Sequence, residues 1–182
     1  MQIITSINKF YYEWWKNIDK SIFFLIIILF SLGLFFSLVS TSLIASDKLN
    51  TNSYYFFLRH LFHAVIGILF IIFFSSLNQK NLYKISTIFF IICFVFLALV
   101  PIIGVEVRGS KRWLDFLFLP RFQPIELLKP FIIIMIASIL SSEKNSNIYY
   151  KYFLSFILIT PIVFFLITQP DIGQTFLVFL TW

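Results

Sequence analysis

Residues 21–46 read SIFFLIIILFSLGLFFSLVSTSLIAS, a run of 26 positions from Ser21 to Ser46 without one ionised side chain. A helix needs about 20 apolar residues to cross the roughly 30 Å hydrocarbon core of a bilayer, so this run is long enough to span. A helix also satisfies its own backbone N–H and C=O groups, which hydrocarbon cannot do for it. The same kind of gap recurs along the chain. With His taken as neutral, His60 to Gln79 gives 20 uncharged residues, Ile85 to Val105 gives 21, and Tyr152 to Pro170 gives 19. Four complete spans follow.

The composition agrees. The 182 residues are 60% hydrophobic and 12% charged, with 26 Phe, against about half apolar and a quarter charged in a soluble domain. Five Gly, six Pro and the single Cys93 also exclude collagen-like, disordered and disulfide-stapled classes. The net charge of +6 would suggest nucleic acid in a soluble protein, but here the basic residues sit in short loops between apolar spans, and no nucleic-acid partner is expected. The expected fold class is an all-α polytopic membrane protein.

Two stretches need more thought. Pro130 to Ser142 is 13 residues, only about 20 Å as a helix at about 1.5 Å per residue. A start at Pro124 extends it to 19 residues, places proline at the first helical position, and puts Glu126 at the third, facing the positive end of the helix dipole. The last apolar stretch, Ile172 to Trp182, has 11 residues, so the chain is expected to be cut inside a sixth helix. No signal peptide is expected ahead of the first span. Met1–Trp182 then reads as a single transmembrane domain, incomplete at its C-terminus. Its spans lie at about 21–44, 56–76, 83–103, 124–142, 149–168 and 170–182, with a basic outer loop at 104–123.

Lys9, Lys16 and Lys20 before the first span, against Lys48 after it, put the N-terminus in the cytoplasm. Alternation then places Arg108, Lys111, Arg112 and Arg121 outside. Either the orientation is inverted or that loop keeps its charge for a reason, and an anionic ligand is one. Trp14-Trp15 and Tyr11-Tyr12 read as an interfacial aromatic anchor.

The densest polar cluster is Gly109-Ser110-Lys111-Arg112-Trp113 followed by Gln123-Pro124-Ile125-Glu126-Leu127-Leu128-Lys129. Arg112 offers a planar fork to phosphate oxygens, and Trp113 suits the headgroup level. Glu126 and Lys129, three apart, share a helix face and can pair. A charge drawn into a bilayer faces a cavity or a partner. An ion pair with Lys129 snorkelling to the interface explains the spacing equally well, as attraction to lipid headgroups explains the loop. Pro130 removes the helical donor for the Glu126 carbonyl. Further on, Thr168-Gln169-Pro170-Asp171-Ile172-Gly173 opens the last helix. Pro170 suits its first turn, Asp171 its N-terminus, and Gly173 permits another backbone to approach. A plain capped helix start is the competing reading. His60 and His63 beside Arg59 make a weak zinc signal, and Cys93 reads as a small hydrophobe.

On these residues the chain resembles the SEDS family of bacterial cell-wall proteins. The family shows Gly-Ser/Ala-x-Arg-Trp, then Gln-Pro-Ser-Glu-x-x-Lys, then Gln/Glu-Pro-Asp-x-Gly. Here these fall at Gly109 to Trp113, Gln123 to Lys129 and Gln169 to Gly173. Arg59-His60 after Tyr54-Tyr55, and Trp14-Trp15 ahead of Asp19, are more like its division branch than its elongation branch, and Leu-Lys-Pro ending at Pro130 is similar to alphaproteobacterial forms. One departure is Ile125, where the family has Ser.

The resemblance implies ten transmembrane helices with both ends cytoplasmic, in the bacterial inner membrane and at the division septum. It implies peptidoglycan glycosyltransfer, in which lipid II is polymerised and undecaprenyl pyrophosphate leaves. Lys111 and Arg112 then match pyrophosphate ligands, and Glu126, Lys129 and Asp171 match residues lining a central cavity. Gly109, Trp113, Gln123, Pro124, Pro170 and Gly173 support the motifs. The aspartate that the resemblance assigns to catalysis belongs to a large outer loop beyond Trp182, so this stretch alone is expected to be inactive. Expected partners are lipid II, membrane lipids, a class B penicillin-binding protein and other divisome proteins. No cofactor is evident, although a divalent cation could bridge pyrophosphate oxygens. A lipid-linked precursor flippase, an elongation-type polymerase and a scaffold that only activates a partner are the alternatives.

Overall fold

The computed structural model describes residues 12–41, 54–107, 109–116, 119–143 and 147–182. Lys9, Tyr11, Lys48, Arg108 and Lys144, which entered the charge and anchor readings, lie outside the described residues. Among the described residues, five helices are long and apolar enough to cross a membrane. The chain divides into two compact units, Met1–Leu77 and Asn78–Trp182.

In the first unit a short helix α1 at 12–17 precedes α2, Lys20–Phe36, which continues as a π-helical turn over Ser37–Thr41, and α3 is Tyr55–Ser75. Asp19 caps α2, its carboxylate accepting from the N–H groups of Ser21 and Ile22 at 2.9 and 3.2 Å. No residue of α2 is buried, and its large apolar side chains stay exposed. The tryptophan pair divides its work. Trp15 remains partly exposed, with the Lys20 ammonium 5.8 Å from its ring centroid, as an interfacial residue should be. Trp14 is buried and donates from Nε1 to Ser75 Oγ at 2.8 Å. It therefore locks α1 to the end of α3 rather than anchoring at the interface.

The second unit is built from α4 (Gln79–Ile103), β1 (Val105–Val107), β2 (Ser110–Phe116), β3 (Leu119–Phe122), α5 (Pro124–Ser141), α6 (Ile148–Thr168) and α7 (Ile172–Thr181). Its core is a seam of Cys93 and Leu97 from α4, Ile125, Leu128, Ile132 and Ile136 from α5, Ile159, Ile162, Val163 and Leu166 from α6, and Val178 from α7. On α4, α5 and α6 these positions share one helix face and so form a stripe. Between lipid-exposed helices the stripe is held by close packing, since hydrocarbon solvates leucine as well as protein does. Ile125 is fully buried in this seam. That accounts for an apolar residue beside Glu126: the position points into the core, not toward the charge.

Three readings are corrected. The stretch expected as a loop at 104–123 is a three-stranded antiparallel sheet in the order β1-β2-β3. Val107 pairs with Ser110, and Gly109 between them takes φ +81°, where a side chain is strained. The helix ends also shift. The third span begins at Gln79, taking Lys80 and Lys84 into the helix, and the last begins at Ile172, which leaves Pro170 outside its first turn. Gly173 receives no close neighbour: an added Cβ would meet nothing within 4 Å. Gly104 is the glycine that sterics demand, because a Cβ there would collide with the Val100 carbonyl oxygen.

Candidate functional site

The site is assembled where β2, the α6–α7 turn and the start of α5 meet. Pro101 begins it. Proline has no N–H, so the Leu97 carbonyl four residues earlier loses its helical donor inside the packed seam. Gln169 supplies one: its Nε2 donates to Leu97 O at 3.3 Å, and the residue is 3% exposed. The turn that follows α6 is thereby tied to α4.

Arg112, from β2, grips the same turn. Its Nε donates to Gln169 O at 3.4 Å and its Nη2 to Pro170 O at 2.6 Å, while Nη1 lies 3.6 Å from Asp171 Oδ1. Asp171 is 5% exposed and caps α7. Its carboxylate accepts from Gln123 Nε2 at 2.8 Å and from the Gln174 N–H at 3.4 Å. Gln123 stands at the N-cap of α5 yet makes no side-chain cap bond there, because its amide reaches across to Asp171. One buried carboxylate thus gathers β2, α5 and α7, and its negative charge is met by hydrogen bonds and a guanidinium, as burial requires.

The second centre is the first turn of α5. Lys129 Nζ lies 2.6 Å from Glu126 Oε2, and Gln174 Nε2 donates to Glu126 Oε1 at 2.6 Å. Here the side chains are open, Glu126 about half exposed and Lys129 about a quarter. α5 runs unbroken through Pro130. Lys111 alternates with Arg112 on β2 and is exposed, lining a cleft of about 240 Å³ with Pro101, Glu106 and Gln169. A second cleft of about 470 Å³ is lined by Val107, Ser110, Arg112, Trp113 and Arg121. Arg121 also holds Asp115 at 2.8 Å. Among the described residues no three His, Cys, Asp or Glu side chains are grouped to hold a metal.

Of the residues singled out by sequence, Arg112, Gln123, Asp171, Glu126 and Lys129 come together in this one network, and Lys111 borders it. Gly109 shapes the hairpin above it, and Pro124 opens α5 as its first residue. Pro170 lends its carbonyl rather than its ring, and Gly173 contributes no contact. Gln169 and Gln174 were not singled out as site residues. The first was signalled by Pro101, whose missing N–H calls for a donor. The second follows Asp171 at N3, a position whose side chain can reach back over a helix start.

Residues 19–182 match the FtsW/RodA/SpoVE family model, described as cell cycle protein. The chain belongs to this family. It is 28% identical to the "probable peptidoglycan glycosyltransferase FtsW" of Haemophilus influenzae, covering 99% of this chain and 47% of that one. It is 32% identical to the protein of the same name from Buchnera aphidicola, covering 90% and 41%. The chain thus spans about half the length of the curated relatives it matches. Among solved structures it is similar in fold to the rod shape determining protein RodA of Thermus thermophilus, with a TM-score of 0.70 and 24% identity over 90% of this chain and 51% of that one. A chain of a peptidoglycan synthase complex matches with a TM-score of 0.65 and 24% identity, over 86% of this chain and 44% of its own. Membership in the FtsW/RodA/SpoVE family and five apolar helices together make this an integral bacterial membrane protein.

Proposed function

We propose that this chain is part of a peptidoglycan glycosyltransferase that polymerises lipid II for the septal wall. The observation that carries the reading is the likeness to FtsW proteins over nearly the whole chain. The site's chemistry supports it. Polymerisation joins an acceptor sugar hydroxyl to a donor sugar carbon while undecaprenyl pyrophosphate departs. A leaving pyrophosphate needs cations placed where its charge develops.

Lys111, exposed on β2 beside its cleft, supplies such a charge, and the outward side of Arg112 adds to it in the second cleft. Glu126 and Lys129 orient the sugar headgroup from the start of α5. Asp171 is a poor candidate for general base. Its oxygens already face Gln123, Gln174 and Arg112, so it has little room to take a proton from a hydroxyl. That role belongs to an aspartate in another segment of the intact protein.

The N-terminus is assigned to the cytoplasm and the β1–β3 hairpin to the outer face, where lipid II is consumed. A class B penicillin-binding protein is the fitting partner, consistent with the solved synthase complex that coordinates polymerization and crosslinking.

The test is glycan polymerisation from lipid II by the intact reconstituted protein. Glu126→Ala and Lys111→Ala should each lower the rate at least about tenfold with expression unchanged. Wild-type rates in both would remove these residues from the site. Transbilayer movement of lipid II without polymer would turn the reading toward a flippase.

A further inference from the structure

The two carboxylates of the site, Asp171 and Glu126, come from different helices, and one residue touches both. Gln174 gives its backbone N–H to Asp171 Oδ1 at 3.4 Å and its side-chain Nε2 to Glu126 Oε1 at 2.6 Å. We infer that Gln174 is a positioning residue that holds the ionised Glu126 carboxylate between itself and Lys129 and couples it to the Asp171 corner. This rests on the glycosyltransferase reading of the site.

Three observations carry the inference. The first is the hydrogen-bond arithmetic at Glu126: Oε2 faces the Lys129 ammonium and Oε1 faces an amide N–H, so each oxygen is met by a donor. The second is the other half of the amide. Among the described residues Gln174 Oε1 is buried and has no donor. Turning the amide over would leave its NH2 in the same place and bring its oxygen against Glu126. Of the two amide orientations, the one that gives Glu126 a donor is thus the better. The third is rigidity. The Gln174 backbone is fixed by the cap on Asp171, and Thr175, the next residue, bonds the Asp171 carbonyl through both its N–H at 3.0 Å and its Oγ1 at 2.8 Å. The amide therefore projects from a pinned turn, whereas Glu126 alone, half exposed, would be free to rotate.

The charged groups facing Gln174 are Glu126 and Lys129 from α5 and Asp171 from α7, with Arg112 of β2 joined through Asp171. α6, also packed on α7, places Lys151 at its opposite end, bonded to Leu140 O at 3.0 Å. A carboxylate at position 174 would thus meet Glu126 across about the present amide distance. Two carboxylates so placed repel each other unless one of them carries a proton. A protonated carboxyl there donates to Glu126 as the amide does.

The experiment compares Gln174→Glu and Gln174→Leu in the intact, detergent-purified protein, reading lipid II polymerisation and melting temperature across pH 5 to 8. Gln174→Leu should lower kcat by about tenfold at every pH, the scale of one charge-assisted hydrogen bond. Gln174→Glu should be as impaired near pH 8 and should recover toward wild type as the pH falls, in both rate and melting temperature. Recovery in melting temperature without any polymerisation by the wild-type protein would uphold the coupling and discard the glycosyltransferase reading. Wild-type rates and parallel pH profiles in both variants would overturn the inference.

Discussion

The Asp171 corner and the Glu126 turn use the same chemistry to opposite ends. Both are carboxylates in or at the first turn of a helix, both meet a basic side chain, and both touch Gln174. Asp171 is sealed, and three donors from three elements converge on it. Glu126 is half open and held by two. The first is architecture, since removing its charge would strand partners inside the protein. The second is available to a ligand, since its loss leaves water or headgroups to satisfy Lys129. Burial, more than residue type, separates the two roles.

The sharpest way to break this contrast is Asp171→Leu. It leaves Arg112 and Gln123 without their carboxylate and should cost about 3 kcal/mol of stability, the lower part of the range for a broken buried pair because Arg112 is one-third exposed. Thermal unfolding of the intact protein in detergent reads this, and an unchanged melting temperature would mean that the corner is not structural.

A smaller effect is expected at Gln169. Gln169→Leu removes the donor to Leu97 O and should cost about 1–3 kcal/mol, the range for an orphaned buried carbonyl. Pro101→Ala returns a helical N–H to that carbonyl, so in its background the same substitution should cost markedly less. Additive costs in this double-mutant cycle would refute the account of why Gln169 is there.

The smallest stability effect belongs to the open pair. Lys129→Met should change stability by about 1 kcal/mol or less, in a salt-dependent way, while lowering polymerisation. A loss as large as that of Asp171→Leu would show that the two carboxylates are equally structural.

Much of the helical frame was legible because ionised residues are costly in hydrocarbon, so uncharged runs mark the spans. The start of α5 at Pro124, with Glu126 in its first turn, was readable from proline's fixed φ and the helix dipole. The Glu126–Lys129 pair was readable from three-residue spacing. The hairpin at 105–122 was not, because its charges drew attention away from its pattern. Yet Lys111 exposed, Arg112 half-buried, Leu114 buried and Asp115 exposed follow the two faces of a strand, and Gly109 is a turn signal. Pro170 and Gly173 misled for another reason. Each residue type suits a helix start, but Asp171 captured the cap and moved the helix past Pro170.

By itself the sequence determined that this protein lives in a membrane, where its helices run, and which polar residues are too costly there to be incidental. Those conclusions rest on free energies that each residue carries with it, chiefly the cost of placing charge or unpaired backbone in hydrocarbon. Tertiary structure alone decided which faces of α4, α5 and α6 are buried, since a helix apolar all round carries no polarity signal to separate lipid from protein. It also decided that Asp171 is sealed while Glu126 is open, and that Gln169 and Gln174 matter. Those outcomes depend on what lies across the packed interface, and residues such as Leu97 and Gln169, 72 positions apart, meet only once the helices have packed.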